Sequence, residues 1–240
     1  MPDRFGPRGT FAMLIPLQNA NMQPEYEALR PEGINNQIYR FDISAHDKAS
    51  DAILGAVPGC LLCWPDMIIG GTSLEMHAWS RQQQADYRAR FMEQAQGTPT
   101  VLATDATEAA LKTIGAKRIG ILAPMSAENS KSAQDYYEAA GFEVPYTTSL
   151  RIKKSEEIIK VTVAQIHAGF EEIDHKDVDT LLHVGGGLGI VGMIEELEAR
   201  FGKPVVSVNA ATYWYALRRH GITDPVPGFG QLLLRMGIVE

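Results

Sequence analysis

Cysteine is almost missing from this chain. Two of 240 residues are cysteine, Cys60 and Cys63. That excludes a disulfide scaffold. A zinc site would need histidine partners at ligand spacing, and no such motif is present. Long apolar runs are missing too. An apolar uncharged stretch, Ala52–Pro65, has 14 residues and contains Gly55, Pro58 and Gly59. A membrane-spanning helix needs roughly 20 apolar residues. No basic segment leads into an apolar one at the start, so no secretory signal is expected. Positive charge is in short supply: 22 Lys and Arg stand against 29 Asp and Glu, for a net charge of −7. No basic run is longer than a pair such as Lys153–Lys154, so a nucleic-acid face is not expected. The expectation is a cytoplasmic chain with no membrane and no nucleic-acid partner. A G-x-S-x-G elbow and a phosphate-binding Walker loop are both lacking. What remains is 45% apolar and 21% charged, enough to bury a real core.

Short β-rich runs alternate with longer helical ones. Phe11–Ile15, Ile38–Ile43, Met67–Gly70, Thr100–Ala103, Arg118–Leu122, Thr180–Val184 and Val205–Val208 read as strands. Pro24–Leu29, Ala49–Trp64 (bent near Pro58), Leu74–Gln96, Ala106–Ile114 and Ser130–Ala140 read as helices, and a helix is expected after each of the last two strands. This alternation predicts parallel sheets with helices on both faces. Three strand-plus-loop units of the first half recur in order in the second. Phe11–Pro16 matches Ile119–Pro124, Asp66–Gly71 matches Thr180–Gly185, and Thr98–Thr107 matches Lys203–Thr212. The offsets are 108, 114 and 105 residues. A duplicated α/β unit is therefore expected. The two units are assigned as 1–113 plus 215–240, and 114–214.

In open parallel sheets ligands bind beyond the carboxyl ends of the strands. A pseudo-twofold would bring the two sets of loops together, so the site is expected between the halves. Its walls would be loops 16–21 with 124–129, 70–75 with 184–188, and 104–107 with 209–212. Thr72 followed by Glu75 fits a helix capping box. The same helix start, with the Thr72 and Ser73 hydroxyls, also fits an anion site. Gly185-Gly186-Gly187, the matching loop, could offer unobstructed backbone N–H groups or be a tight turn. It is not taken as a dinucleotide fingerprint. Asn19 and Asn209 sit at equivalent loop ends, where they could make turns or aim donors into one cleft. His183 lies on a strand two residues before Gly185, as a buried core histidine or a site residue. His77 is expected near the site, and the other histidines at the surface. Cys60 and Cys63, three apart, are expected on one helix face as buried thiols away from the cleft.

These loops resemble the aspartate/glutamate racemase superfamily, in its maleate isomerase and arylmalonate decarboxylase branch. Residues 15–25, Ile-Pro-Leu-Gln-Asn-Ala-Asn-Met-Gln-Pro-Glu, are similar to that family's P-S-S-N-T-T-x-E-P-E loop, with Asn19 at the substrate-binding asparagine. Gly71–Ser73 and Gly185–Gly187 resemble its two catalytic loops. Residues 207–218 resemble S-S-N-Q-A-T-x-W-x-x-L-R, and residues 227–232 the decarboxylases' P-G-Y-G-R-L ending. The resemblance implies two duplicated α/β domains, no metal, no organic cofactor and a small carboxylic acid in the cleft. A homo-oligomer stays open.

The departures restrict mechanism. Racemases of this superfamily carry a cysteine on each loop. The isomerases use the first as nucleophile, and the decarboxylases keep glycine first and cysteine second. Here Gly71 and Gly185 occupy both positions, and Pro124-Met125-Ser126 stands where T-P-Y is usual. Two-thiol acid–base chemistry and covalent thiolate chemistry both lack their groups. Carboxylate binding and oxyanion stabilisation survive. The expected function is a cofactor-independent decarboxylase or lyase of a malonate-like dicarboxylic acid, acting through an enediolate. An isomerase or racemase with non-cysteine acid–base groups and a non-catalytic carboxylate binder are the alternatives. Thr72, Ser73 and His183 are the expected catalytic groups. Pro16, Gln18, Asn19, Gly71, Met125, Ser126, Gly185, Gly186, Gly187 and Asn209 are the expected substrate contacts. The closing proton could come from water, His183, His77 or Tyr213.

Overall fold

The computed structural model describes residues 4–44, 48–71 and 74–239. Thr72 and Ser73, two expected site residues, lie outside the described residues, as does His46. The first half runs β1 (Gly9–Pro16), α1 (Met22–Leu29), β2 (Ile34–Phe41), α2 (Ala49–Cys60), β3 (Met67–Gly70), α3 (Arg81–Gln94), β4 (Thr100–Leu102) and α4 (Ala103–Ile114). The second half runs β5 (Arg118–Ala123), α5 (Ala127–Ala139), β6 (Glu143–Ser149), α6 (Val163–Glu171), β7 (Thr180–His183), α7 (Ile194–Phe201), β8 (Val205–Ser207) and α8 (Val208–Arg219). Each half builds a four-stranded sheet, ordered β2-β1-β3-β4 and β6-β5-β7-β8, and every pairing is parallel. The strand orders are identical, as the repeats predicted.

Both faces of the inner strands are covered, so these strands read as continuous apolar runs. In β1 the alternation of a strand divides one run between two cores. Phe11, Met13 and Ile15 face the large core shared by both halves. Ala12 and Leu14 face a second core closed by Val57 and Phe91.

The halves join through helices. α4 packs on α8, and each also touches the edge strand of the opposite half. The duplication persists in single bonds here. Thr107 Oγ1 donates to the Ala103 carbonyl at 2.7 Å and Thr212 Oγ1 to the Val208 carbonyl at 2.6 Å. Loops 104–107 and 209–212 are thus helix starts packed in the interface, not cleft walls.

Several boundaries differ from expectation. The helix predicted over Leu74–Gln96 is broken: a single 3₁₀ turn at Met76–Ala78 is followed by extended Trp79, and α3 begins only after Ser80. Ser80 and Gln83 form a reciprocal capping box there, which supplies the stop that the apolar pattern lacked. Thr72, the expected capping partner of Glu75, lies outside the described residues. The Glu75 carboxylate accepts the Ser50 amide at 3.0 Å and the Ser50 hydroxyl at 2.6 Å, at the start of α2. The strand predicted at Ile38–Ile43 begins at Ile34, and β6 and α6 are additional. Cys60 is buried as expected, but Cys63 is exposed. The chain tightens into a 3₁₀ turn at Leu61–Cys63 and reverses at left-handed Trp64, which takes Cys63 off the buried face of α2. Among the described residues no helix is long and apolar enough to cross a membrane.

The C-terminal segment is fastened by one buried guanidinium. Arg218 donates to the carbonyls of Arg235 and Ile222 at 2.7 Å and of Asp224 at 3.2 Å. Lysine can satisfy only part of that set. Arg218→Lys should lower unfolding free energy by about 2–4 kcal/mol in urea titration, since each buried carbonyl left without a donor costs about 1–3 kcal/mol.

Candidate functional site

A cavity of about 260 Å³ opens between the two sheets at the carboxyl ends of their strands. That is at the small end for ligand sites, which run from roughly 300 Å³ upward. It joins two of the three predicted loop pairs. Pro16, Gln18, Asn19 and Gly71 line it from the first half, and Pro124, Met125 and Gly185–Gly187 from the second. Met22, Ile43, Leu74, Ile158 and Ile159 make the rest mostly apolar. Glu75 and Ser155 add polar atoms. Among the described lining residues there is no Lys, Arg or His.

Two expected contacts do not line the cavity. Ser126 caps α5 in a capping box with Asn129. Asn209 lies one layer behind, at the start of α8, and is buried. The expected proton donors also lie off the cavity lining. His183 is fully buried on β7, with Nδ1 3.4 Å from Ser207 Oγ. Burial lowers its pKa to about 3. His77 is buried against the rings of Tyr136 and Tyr137, and burial likewise lowers it to about 3. The Tyr213 hydroxyl donates to Asn36 Oδ1 at 2.9 Å. Cys60, whose thiol burial pushes up to about 12, and Cys63 are remote from the lining.

The glycine loop is held from behind. Asn19 accepts the Asn21 and Met22 amides on its Oδ1, which starts α1, and donates from Nδ2 to the Gly186 carbonyl at 3.0 Å. Asn209 Nδ2 donates to the same carbonyl at 3.0 Å. The two asparagines, expected at equivalent loop ends, follow β1 and β8, which are not repeat mates; they converge nonetheless, but on the loop's backbone rather than on the cleft. Asn21 Nδ2 donates to the Gly187 carbonyl at 2.8 Å. Beneath them lies Glu25, which the sequence reading did not single out. Its carboxylate accepts from Val191 N and from Asn209 Nδ2, both at 2.6 Å. Burial is the dominant influence and raises its pKa from 4.5 to about 7, against the lowering effect of those donors. The signal was present in the sequence: Met22, Glu25, Tyr26 and Leu29 form the buried stripe of α1, and an acid on an apolar stripe is unusual.

Residues 187–192 do spell G-x-G-x-x-G. The structure argues against a dinucleotide use. The Val191 N–H is taken by Glu25, and the helix that follows, α7, opens with Glu195 and Glu196, which oppose a second anion.

The two loop glycines are not equivalent. A Cβ on Gly71 would meet the Met22 methyl at 2.6 Å, the free end of a flexible chain. Gly185 has φ +89°, and its Cβ would lie 2.8 Å from two ring carbons of Pro124.

The comparisons with known proteins agree with this geometry. Residues 66–233 match the sequence pattern of the family described as arylmalonate decarboxylase. The chain belongs to the arylmalonate decarboxylase family. Two maleate isomerases are among its relatives. The one from Pseudomonas putida KT2440 is 24% identical over 92% of this chain and 95% of its own length. The one from Alcaligenes faecalis is 26% identical over 65% of this chain and 62% of its own length. The fold matches crystal structures of the Pseudomonas putida S16 maleate isomerase with maleate (TM-score 0.86, 19% identity, 96% and 99% of the two chains) and of arylmalonate decarboxylase (0.74, 19%, 93% and 98%). Two duplicated parallel sheets are thus the family's architecture, and family membership supports a small dicarboxylate isomerase or decarboxylase.

Two outcomes follow from the site. Gly185→Ala should cost roughly 2–4 kcal/mol through left-handed strain and overpacking, and Gly71→Ala less than about 1.5 kcal/mol, both read from chemical denaturation. The Glu25 pKa is raised in the folded state, so its stabilising contribution is complete below pH 4.5 and is lost as pH rises through about 7. Between those limits the protein should lose on the order of 3 kcal/mol relative to Glu25→Gln.

Proposed function

We propose that this protein is a cofactor-independent decarboxylase of a malonate-like acid. The observation that carries the reading is the occupancy of both loop positions, 71 and 185, by glycine, in a cavity bordered by backbone N–H groups and apolar side chains. In this reading one substrate carboxylate is received by the N–H groups of Gly186 and Gly187, with the Thr72 and Ser73 hydroxyls as further donors. The other carboxylate faces Leu74, Met125 and Ile158, where it loses hydration. The bond to that carboxylate breaks and CO2 leaves. Its electron pair passes to the retained carboxylate as an enediolate. Each positioned donor to that developing charge is typically worth about 2.7–4 kcal/mol. A proton from water then closes the α-carbon and leaves a monocarboxylate and hydroxide. Water is assigned this role because His183, His77 and Tyr213 do not line the cavity.

The isomerase reading draws on the maleate isomerase relatives. A mutant of the Nocardia farcinica isomerase carries a covalently bound succinylcysteine intermediate. Among the described residues of this cavity there is no cysteine to form such an adduct.

The test is a panel of alkyl- and arylmalonates, β-keto acids and maleate in deuterated water. The expected result is CO2 release with one solvent deuteron at the product α-carbon, and a 10²–10³-fold lower kcat for Thr72→Ala. Cis–trans conversion or α-deuteration without CO2 would replace the proposal by the isomerase or racemase. Tight binding with no turnover would replace it by the carboxylate binder.

A further inference from the structure

The glycine loop can receive an anion only if its N–H groups point into the cavity. A trans peptide fixes C=O and N–H in opposite directions. The Gly186 carbonyl is gripped by Asn19 and Asn209, each at 3.0 Å. The N–H of that peptide belongs to Gly187 and therefore points away from both asparagines. Neither Gly186 N–H nor Gly187 N–H has a hydrogen-bond partner among the described residues, and both residues line the cavity. The direction of the Gly187 N–H thus depends on the asparagine amides. Asn209 has two amide hydrogens, and the second goes to Glu25 Oε2 at 2.6 Å. The other oxygen of the same carboxylate holds Val191 N, where the loop ends.

We propose that Glu25 is the positioning residue of the anion-receiving loop: its carboxylate orients Asn209, and through it the Gly187 N–H, while anchoring the loop's far end at Val191. A carboxylate offers only acceptors here, and both of its partners are donors. Once protonated, the group carries its own O–H and can no longer accept fully from both. The Asn209 amide is then released, and the Gly186–Gly187 peptide loses one of its two restraints.

Among the described residues no charged side chain competes for Glu25. α8 presents Asn209, the 190–191 turn presents main-chain N–H, and the titratable neighbour is Tyr26, which burial keeps un-ionised. The folded-state pKa of about 7 puts the change near neutrality. The loop is ordered on the alkaline side and loosened on the acid side. Binding of a carboxylate to the ordered loop must in turn favour the ionised Glu25. Only the identity of the occupant rests on the decarboxylase reading; the coupling is a property of the ligand-free protein.

The test is therefore made first without substrate. Amide resonances of Gly187 and Val191 are followed by NMR from pH 5.5 to 9. Both should titrate with one shared midpoint near neutrality. In Glu25→Gln neither should titrate. In Asn209→Ala the Val191 shift should persist while the Gly187 shift is lost, an uncoupling that a merely structural role does not produce. A Gly187 resonance that does not move in the wild type, which requires no variant to fold, overturns the proposal. So does an unchanged titration in Glu25→Gln. With a malonate substrate, kcat/KM should rise at least tenfold from pH 5.5 to 8 in the wild type and stay low and flat in Glu25→Gln. Titrating amides without CO2 release would refute the decarboxylase reading alone and leave the coupling supported.

Discussion

A carboxylate without a cation is buried at the junction of the two sheets, and much of the site follows from satisfying it. Removing an ionised group from water is costly unless donors replace the water. Glu25 sits on the first half, on α1, yet both of its donors belong to the second. The two halves must therefore meet closely at this point. The same requirement sets the distance between α1 and the 186–191 loop and the orientation of Asn209. A cavity at the strand ends is what remains once these pieces are in contact.

Duplication supplies the frame and asymmetry supplies the site. Strand order is the same in both halves, and Thr107 and Thr212 make the same back-bond at matched helix starts. Asn19, after β1, and Asn209, after β8, are not repeat mates, since Asn209 aligns with Thr104; their convergence on a single carbonyl is a feature that the duplication does not supply. Only the second half carries the triple glycine, and only the first carries the buried acid.

The sheets, their duplication and the cavity's place were legible because they rest on period and repetition. Apolar runs of strand length, the Pro16/Pro124 and Gly71/Gly185 pairs, and the rule of strand carboxyl ends were enough. Roles within the site were less legible. Asn209 was expected at the substrate and holds the loop instead, because its direction is decided by Glu25, 184 residues away. Glu75, legible only as part of a local capping pattern, also accepts the amide and hydroxyl of Ser50 at the start of α2; a local pattern cannot show so distant a partner. Cys63 left the buried face because a 3₁₀ turn replaced the last turn of α2. For Asn209 and Glu75 the unread partner is distant in sequence, whereas Cys63 is moved by a local tightening of the helix end.

The absence of a cation from the described cavity lining bears on the proposed chemistry. A lysine or arginine would attract a dianion strongly before any bond breaks, and attraction shared by ground state and transition state does not raise kcat. Neutral N–H groups aimed at one carboxylate bind the starting acid less strongly. They gain as charge from the breaking bond accumulates on that carboxylate. The acidic Glu75 on the lining adds to this difference, since a second substrate charge nearby is unfavourable and moves onto the retained carboxylate as neutral CO2 leaves. Such a site must keep its donors fixed, because reorienting them would consume the advantage. A glycine loop alone is the wrong material for that. Two asparagines and a buried carboxylate behind it provide the rigidity, while Gly185, folded at positive φ against Pro124, lets the backbone come close enough for main-chain N–H groups to do what a side chain would otherwise do.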